Sequence, residues 1–204
     1  MNILFSKEEI EFQTQILAKN ITDEHRADGS PVIYICLLNG GFMFFSDLAK
    51  HTSMDIELDF MRVKSYVGKR KQGDIQIVKD LETAIKGKHV YIVDDIYDSG
   101  RTMESVIKYL KVKDPKSLNI ICLLKRKDSV IDPLKIADKF QFGFEIDDEW
   151  VVGRGMDNEK DYARNYQNIF SFCTNCSHDT NFFSFYRQIQ SSPIFTRTYT
   201  SRFI

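Results

Sequence analysis

The stretch Val90-Tyr91-Ile92-Val93-Asp94-Asp95-Ile96-Tyr97-Asp98-Ser99-Gly100-Arg101-Thr102 combines residue types and spacings that could do chemistry. An apolar run leads into two adjacent carboxylates, a third carboxylate follows, and Ser-Gly-x-Thr opens a helical pattern. Backbone N–H groups and the hydroxyls of Ser99 and Thr102 at a helix N-terminus form a phosphate cradle, favoured by the helix dipole. Gly100 lets the backbone approach an anion closely. Asp94 and Asp95, at the carboxyl end of a strand, can accept from two vicinal hydroxyls, and ligands of open α/β sheets bind outside such ends. Phosphate on the turn and a diol on the acids together describe a ribose 5-phosphate. The plainer alternative is a capped helix after a strand, with solvated acids; paired aspartates at a strand end also occur in unrelated phosphoacceptor domains.

The elements that must position this segment read as alternating helices and strands. Ser6 and Glu9 fit a capping box, and Ile10, Ile16, Leu17 and Ile21 recur near helical spacing behind it. Asp28-Gly29-Ser30-Pro31 is a turn before the unbroken apolar run Val32–Leu38, which suits a strand buried on both faces. Asn39-Gly40-Gly41 ends that run, and Phe42–Lys50 can form a helix. Further strands are expected over Ile56–Val63, Ile75–Val78, Val90–Val93, Leu118–Leu124, Phe140–Ile146 and Trp150–Gly153, with a helix over Gly100–Lys113. Ser65–Asp74, with Lys69, Arg70 and Lys71 among glycines, reads as a mobile basic loop. The pattern predicts an α/β fold with a mainly parallel sheet flanked by helices.

Composition narrows the class. The 204 residues are 43% apolar and 28% charged, which excludes a disordered chain. Lys and Arg number 28 against 29 Asp and Glu, so no global charge bias toward nucleic acid or anionic membrane exists. No apolar run approaches the ~20 residues of a membrane span, and no signal peptide is visible. Four cysteines are too few for a disulfide scaffold; Cys36 and Cys122 lie in apolar runs and read as buried hydrophobes. A cytoplasmic protein is expected. A domain over residues 1–170 is followed by a tail, 171–204, of different character and no clean periodicity.

The segment around Asp94 resembles the diphosphoribosyl-binding motif of the type I phosphoribosyltransferases, and further segments are similar to its hypoxanthine-guanine branch. These are Leu37–Leu48 (a pyrophosphate loop and following helix), Asp59–Tyr66 (the start of a flexible catalytic loop), Leu123-Leu124-Lys125-Arg126 (a purine-contacting lysine) and Phe142–Gly153. The resemblance covers roughly residues 1–170. It implies the type I phosphoribosyltransferase fold, with a small hood from the N- and C-terminal segments. It also implies attack of a purine N9 on C1 of 5-phosphoribosyl 1-diphosphate, with release of pyrophosphate and formation of IMP or GMP. By the same resemblance Asp98 is the general base at purine N7, although Asp at that position also suits a helix cap. Asp94, Asp95, Asp98, Ser99, Gly100, Arg101 and Thr102 hold ribose and its 5-phosphate. Leu38, Asn39, Gly40, Ser65 and Tyr66 hold pyrophosphate, with Leu38-Asn39 matching a non-proline cis peptide. Lys125, Trp150, Val151 and Asp157 hold the purine: Lys125 as donor to a 6-oxo group, Trp150 by stacking. Lys125 otherwise reads as an exposed lysine and Trp150 as a core or interface aromatic. Magnesium is the implied cofactor, with Asp157 and, more indirectly, Asp94 toward the metal. A homodimer or homotetramer is implied by analogy.

The chain departs from the pattern in places. Asn39 stands where some members have lysine. Asp128 and Ser129 follow where some carry an arginine. The Asp157–Arg164 spacing is one residue longer, so Arg164 is not assigned to pyrophosphate. Cys173, Cys176 and His178 form only half of a zinc-type pattern. The four histidines, His25, His51, His89 and His178, are scattered without ligand spacing along the chain. A second reading is an RNA-binding regulator on the same fold that senses the same diphosphate. The purine-pocket segments around Lys125 and Trp150, and the net charge of −1, favour the enzyme with no nucleic-acid or membrane partner.

Overall fold

The computed structural model describes residues 2–65, 75–156 and 167–172. The chain divides into a unit over Met1–Phe172 and another over Cys173–Ile204, and the described residues lie in the first. The expectations for the loop beyond Ser65, for Tyr66, Asp157 and Arg164, and for the tail with Cys173, Cys176 and His178 fall outside the described residues.

The apolar runs form one six-stranded sheet. Its strands are β2 (Val32–Leu38), β3 (Glu57–Ser65), β4 (Ile75–Lys79), β5 (His89–Tyr97), β6 (Ser117–Arg126) and β7 (Lys139–Ile146). The spatial order is β4-β3-β2-β5-β6-β7, and every pair is parallel except β3 with β4. Chain order reverses between β2 and β5: β2 leads outward to β3 on one side, β5 leads to β6 on the other. A crevice opens outside the carboxyl ends of strands at such a switch point.

Three helices cover the sheet. α1 (Lys7–His25) begins with the expected capping box, Ser6 Oγ accepting from Glu9 N while Glu9 accepts from Ser6 N at 2.8 Å. α1 packs with α2 (Phe42–His51) on one face, where Ile10, Leu17, Tyr34, Phe44, Leu48, Tyr91 and Val93 are buried together. α3 (Arg101–Lys111) covers the other, its Val106 and Leu110 buried against Ile33, Ile35 and Ile92. Adjacent strand residues thus enter opposite cores, which is why β2 and β5 read as unbroken apolar runs.

Two short strands were not legible in the sequence. β1 (Asn2–Phe5) and β9 (Ile169–Phe172) pair with each other and with β8 (Trp150–Val152) in a small antiparallel sheet, the hood. Four-residue strands carry too little periodicity to be read locally, and their partners are distant in sequence. β9 runs two residues past the boundary expected at 170. The strand ends also lie further out than expected: β5 continues through both acids to Tyr97, because backbone pairing with β6 carries on to Lys125.

Candidate active site

The carboxyl ends of β2 and β5 deliver the expected groups to one place. A cleft of about 340 Å³ is lined by Gly40, Asp95, Ile96, Asp98, Arg126, Trp150, Val151 and Met156. One wall comes from the β2–α2 loop, the floor from β5, and the far wall from the end of β6 and from the hood strand β8.

The β2–α2 loop turns through a cis peptide between Leu38 and Asn39. Gly40 then passes so close to β5 that a Cβ there would lie 2.0 Å from Asp95 Oδ2. The Gly40 carbonyl backs onto the loop after β8, where a Cβ on Gly155 would lie 2.0 Å from that oxygen. Two glycines therefore let three segments meet without side chains between them.

Asp94 and Asp95 are adjacent at the carboxyl end of β5, with their side chains close enough to interact. Asp95 lines the cleft and Asp94 does not. Asp94 Oδ1 accepts from Asp95 N at 3.0 Å, and Asp95 Oδ1 from Ile96 N at 2.8 Å. Burial, reinforced by the neighbouring Asp95 charge, holds the Asp94 carboxyl well above the usual carboxylate range.

Beyond β5 the chain makes the expected turn into α3. Gly100 is the N-cap residue in a left-handed conformation (φ 81°), and no side chain caps the helix. The first-turn N–H groups are thus not closed off by a capping side chain, which suits an anion. The turn is braced from outside: Ser99 O accepts from Ile131 N at 3.1 Å, and Tyr97 Oη donates to Ile131 O at 3.0 Å. Ser99, Arg101 and Thr102 are half-buried around this turn.

Asp98 is not the helix cap. Its side chain is 66% exposed, faces the cleft, and pairs with Arg126 Nε at 2.8 Å. Arg126 also donates through Nη1 to the carbonyls of Asp147 (2.8 Å) and Glu149 (3.2 Å), just before Trp150. It thereby ties Asp98 to the segment that presents the indole. In the sequence Arg126 stands beside Lys125 without a role of its own. Strand alternation was the available signal, since consecutive residues at a strand end face opposite ways. Lys125 is not among the cleft-lining residues; its ammonium pairs with Glu145 at 2.6 Å, across from it on β7, and lies 5.5 Å from the Phe142 ring centre.

Trp150 is 51% exposed at the cleft mouth, whereas Val151 is buried beneath it. This half-exposed position does not match a core aromatic. Arg154, two residues past β8, was also unassigned. It is buried at φ 52°, its guanidinium binds Asp47 on α2, and its Nε has no partner among the described residues. Its position between Gly153 and Gly155 was the only hint in the sequence. Of the expected pyrophosphate group, Leu38, Asn39 and Gly40 stand together at the loop, and Ser65 ends β3.

Comparison with known proteins gives the same direction. A family model, "Phosphoribosyl transferase domain", matches residues 3–159. The hypoxanthine phosphoribosyltransferase of Escherichia coli (strain K12) is 37% identical over 172 residues, covering 83% of this chain and 92% of its own. A crystal structure of a hypoxanthine phosphoribosyltransferase from Staphylococcus aureus superposes with a TM-score of 0.77 at 31% identity, covering 88% of this chain and 95% of that one. A Trypanosoma cruzi hypoxanthine phosphoribosyltransferase solved with the product IMP gives a TM-score of 0.76 at 28% identity, over 85% and 95%.

Proposed function

The chain belongs to the phosphoribosyltransferase family, and from that membership we propose a reading of its site as a purine-salvage transferase. It is an enzyme that moves the 5-phosphoribosyl group from 5-phosphoribosyl 1-diphosphate to N9 of hypoxanthine or guanine, giving IMP or GMP and pyrophosphate. The observation that supports the site assignment is the convergence, in one cleft at the switch point of the sheet, of the Asp95 and Asp98 carboxylates, the Gly40 loop and the Trp150 face, with the turn into α3 following Asp98 directly in the chain.

The residues divide the work by position. The turn Ser99-Gly100-Arg101-Thr102 takes the 5-phosphate on its N–H groups and hydroxyls. Asp95, with Asp94 beside it in β5, accepts from the ribose hydroxyls. Leu38, Asn39 and Gly40 present backbone to the pyrophosphate, and Ser65 and Tyr66 are assigned to the same group by the family resemblance. The purine stacks on Trp150 and packs on Val151, and Asp157 is assigned to it by the family resemblance. Asp98 accepts a proton from the base as N9 bonds to C1 and the C1–O bond to pyrophosphate breaks. Lys125 donates to the 6-oxo group once released from Glu145; an amino group at that position would meet a donor with a donor.

Two carboxylates side by side, one with its proton affinity raised by burial, fit a site that takes a divalent cation with hydroxyl and diphosphate oxygens. Asp157 and Asp94 are the residues toward Mg2+. When bound, the ion neutralises charge on the diphosphate. Buried free thiols at Cys36 and Cys122 support a cytoplasmic setting, and no described helix is long and apolar enough to cross a membrane. The partners are the purine base and the diphosphate sugar, within a homodimer or homotetramer. The regulator alternative gains no support from the relatives, whose names are those of enzymes.

The test is nucleotide synthesis with hypoxanthine, guanine and xanthine in turn, with Mg2+ and the diphosphate sugar. Hypoxanthine or guanine turns over, and Asp98→Asn lowers kcat by roughly 10²-fold or more while KM for the sugar changes little. Tight RNA binding with no purine turnover would reject the enzyme reading; unchanged kcat in Asp98→Asn would remove Asp98 from proton transfer.

A further inference from the structure

We propose that His25, Asp28 and His89 form a binding site for a transition-metal dication of the zinc class, on the opposite end of the sheet from the cleft. His25 is the last residue of α1, Asp28 lies in the following turn, and His89 is the first residue of β5, whose other end carries Asp94 to Tyr97. The fold thus brings together two histidines that have no ligand spacing in the sequence.

One donor atom from each of the three residues lies within 4.8 Å of the others. His89 Nε2 is 2.8 Å from Asp28 Oδ2, and the two imidazole centres are 4.4 Å apart. Zinc bonds of ~2.0–2.1 Å place tetrahedral ligands roughly 3.3 Å apart. The His89–Asp28 pair already has nearly that separation. The 4.8 Å span of the three donor atoms is wider than that, and closing it takes small movements of the exposed Asp28 and half-buried His89 side chains toward the buried His25.

The surroundings suit imidazole ligation. His25 Nε2 is paired with Tyr91 Oη at 2.8 Å, and His89 Nδ1 with Ser117 Oγ at 2.7 Å. Each ring is therefore oriented by a hydroxyl through one nitrogen and has the second to offer, as metal-ligating histidines commonly do. His25 is buried, so its ring is fixed by packing. Glu24 Oε1 lies 3.4 Å from His25 Nε2, the nitrogen that meets Tyr91, and pairs with Lys139, so it is not counted among the ligands. Two imidazoles and a carboxylate select Zn2+, Ni2+, Co2+ or Cu2+ over Mg2+, which prefers oxygen and water.

Lys116 is the competitor. Its ammonium lies 3.0 Å and 3.1 Å from the two Asp28 oxygens, where it supplies the positive charge that a dication would replace. Metal binding therefore displaces Lys116, and removing that ammonium strengthens it.

Zn2+ is titrated calorimetrically into the tag-free full chain without diphosphate sugar, with Co2+ visible absorption as a second readout. The expected result is one Zn2+ per chain, a Co2+ spectrum of a nitrogen- and oxygen-ligated ion, and a Tm that rises with Zn2+. His89→Gln, and the double variant with His25→Gln, lower affinity by at least about tenfold and abolish the Tm rise. Lys116→Met raises affinity several-fold. Nucleotide synthesis with Mg2+ is unchanged in all of these variants, which separates this site from the cleft. Zn2+ binding that persists unchanged in folded His89→Gln, or an absence of binding at submillimolar Zn2+, overturns the proposal.

Discussion

Gly40 is the residue on which the cleft's geometry is tightest. Any side chain there meets the Asp95 carboxylate, since even a Cβ would lie 2.0 Å from Oδ2. Gly40→Ala must move either Asp95 or the loop that starts at the cis peptide. Both are assigned to the same substrate, so kcat/KM for the diphosphate sugar falls by roughly tenfold or more. The fold suffers little, because the loop is at the surface of the cleft rather than in a core. Steady-state kinetics beside a thermal melt separates the two effects. Wild-type kinetics in Gly40→Ala would show that the loop and Asp95 are not in the close register described. Arg126 belongs to the same scale: it holds Asp98 on one side and the carbonyls ahead of Trp150 on the other, so that carboxylate and that indole share one anchor.

At the level of elements, the site depends on helix starts. α3 begins at a left-handed glycine without a capping side chain. α1 begins with a full capping box. The contrast follows from chemistry: Ser and Glu satisfy their own helix start, whereas Gly100 cannot. Ser6→Ala removes one half of the box and costs about 1 kcal/mol. In a chain of this size that lowers Tm by about 2–4 °C. Activity at 25 °C is unaffected, since α1 does not line the cleft. A melt unchanged within error would mean that the pairing between β1 and β9 holds the start of α1 by itself.

For the molecule as a whole, the core beneath the site carries titratable groups that stay neutral. Burial, with the Asp94 and Asp95 charges, pushes the Cys36 thiol up to about 12; burial alone pushes the Tyr34 phenol to about 12, against a smaller opposing hydrogen bond to Thr52. Both pKa values are raised on folding. Their contribution to stability is present below the unfolded values, about 8.5 for Cys and 10 for Tyr, and is lost as pH rises toward 12. Denaturant melts between pH 8 and 11 therefore show stability declining on the alkaline side, and Cys36→Ala removes part of the slope. Cys36 and Cys122 also escape alkylation at neutral pH until the chain unfolds, as peptide mass spectrometry would report. Native-state labelling of Cys36 would contradict the buried placement of β2.

By itself the sequence determined the local parts. The capping box at Ser6, the doubly buried runs of β2 and β5, the acids ending β5 and the Gly-centred turn into α3 all follow from contacts within a few residues, which is why pattern and spacing reveal them. The α/β class and the ribose-phosphate reading rest on those parts. Tertiary structure decided what lies between distant segments. It made a hood of three short strands from both ends of the domain, turned Lys125 onto Glu145 while Arg126 met Asp98, seated Arg154 on Asp47, and joined His25 to His89. Each of these is a pairing across a long stretch of chain, settled by which strand lies beside which and on which face. No window of neighbouring residues contains that information.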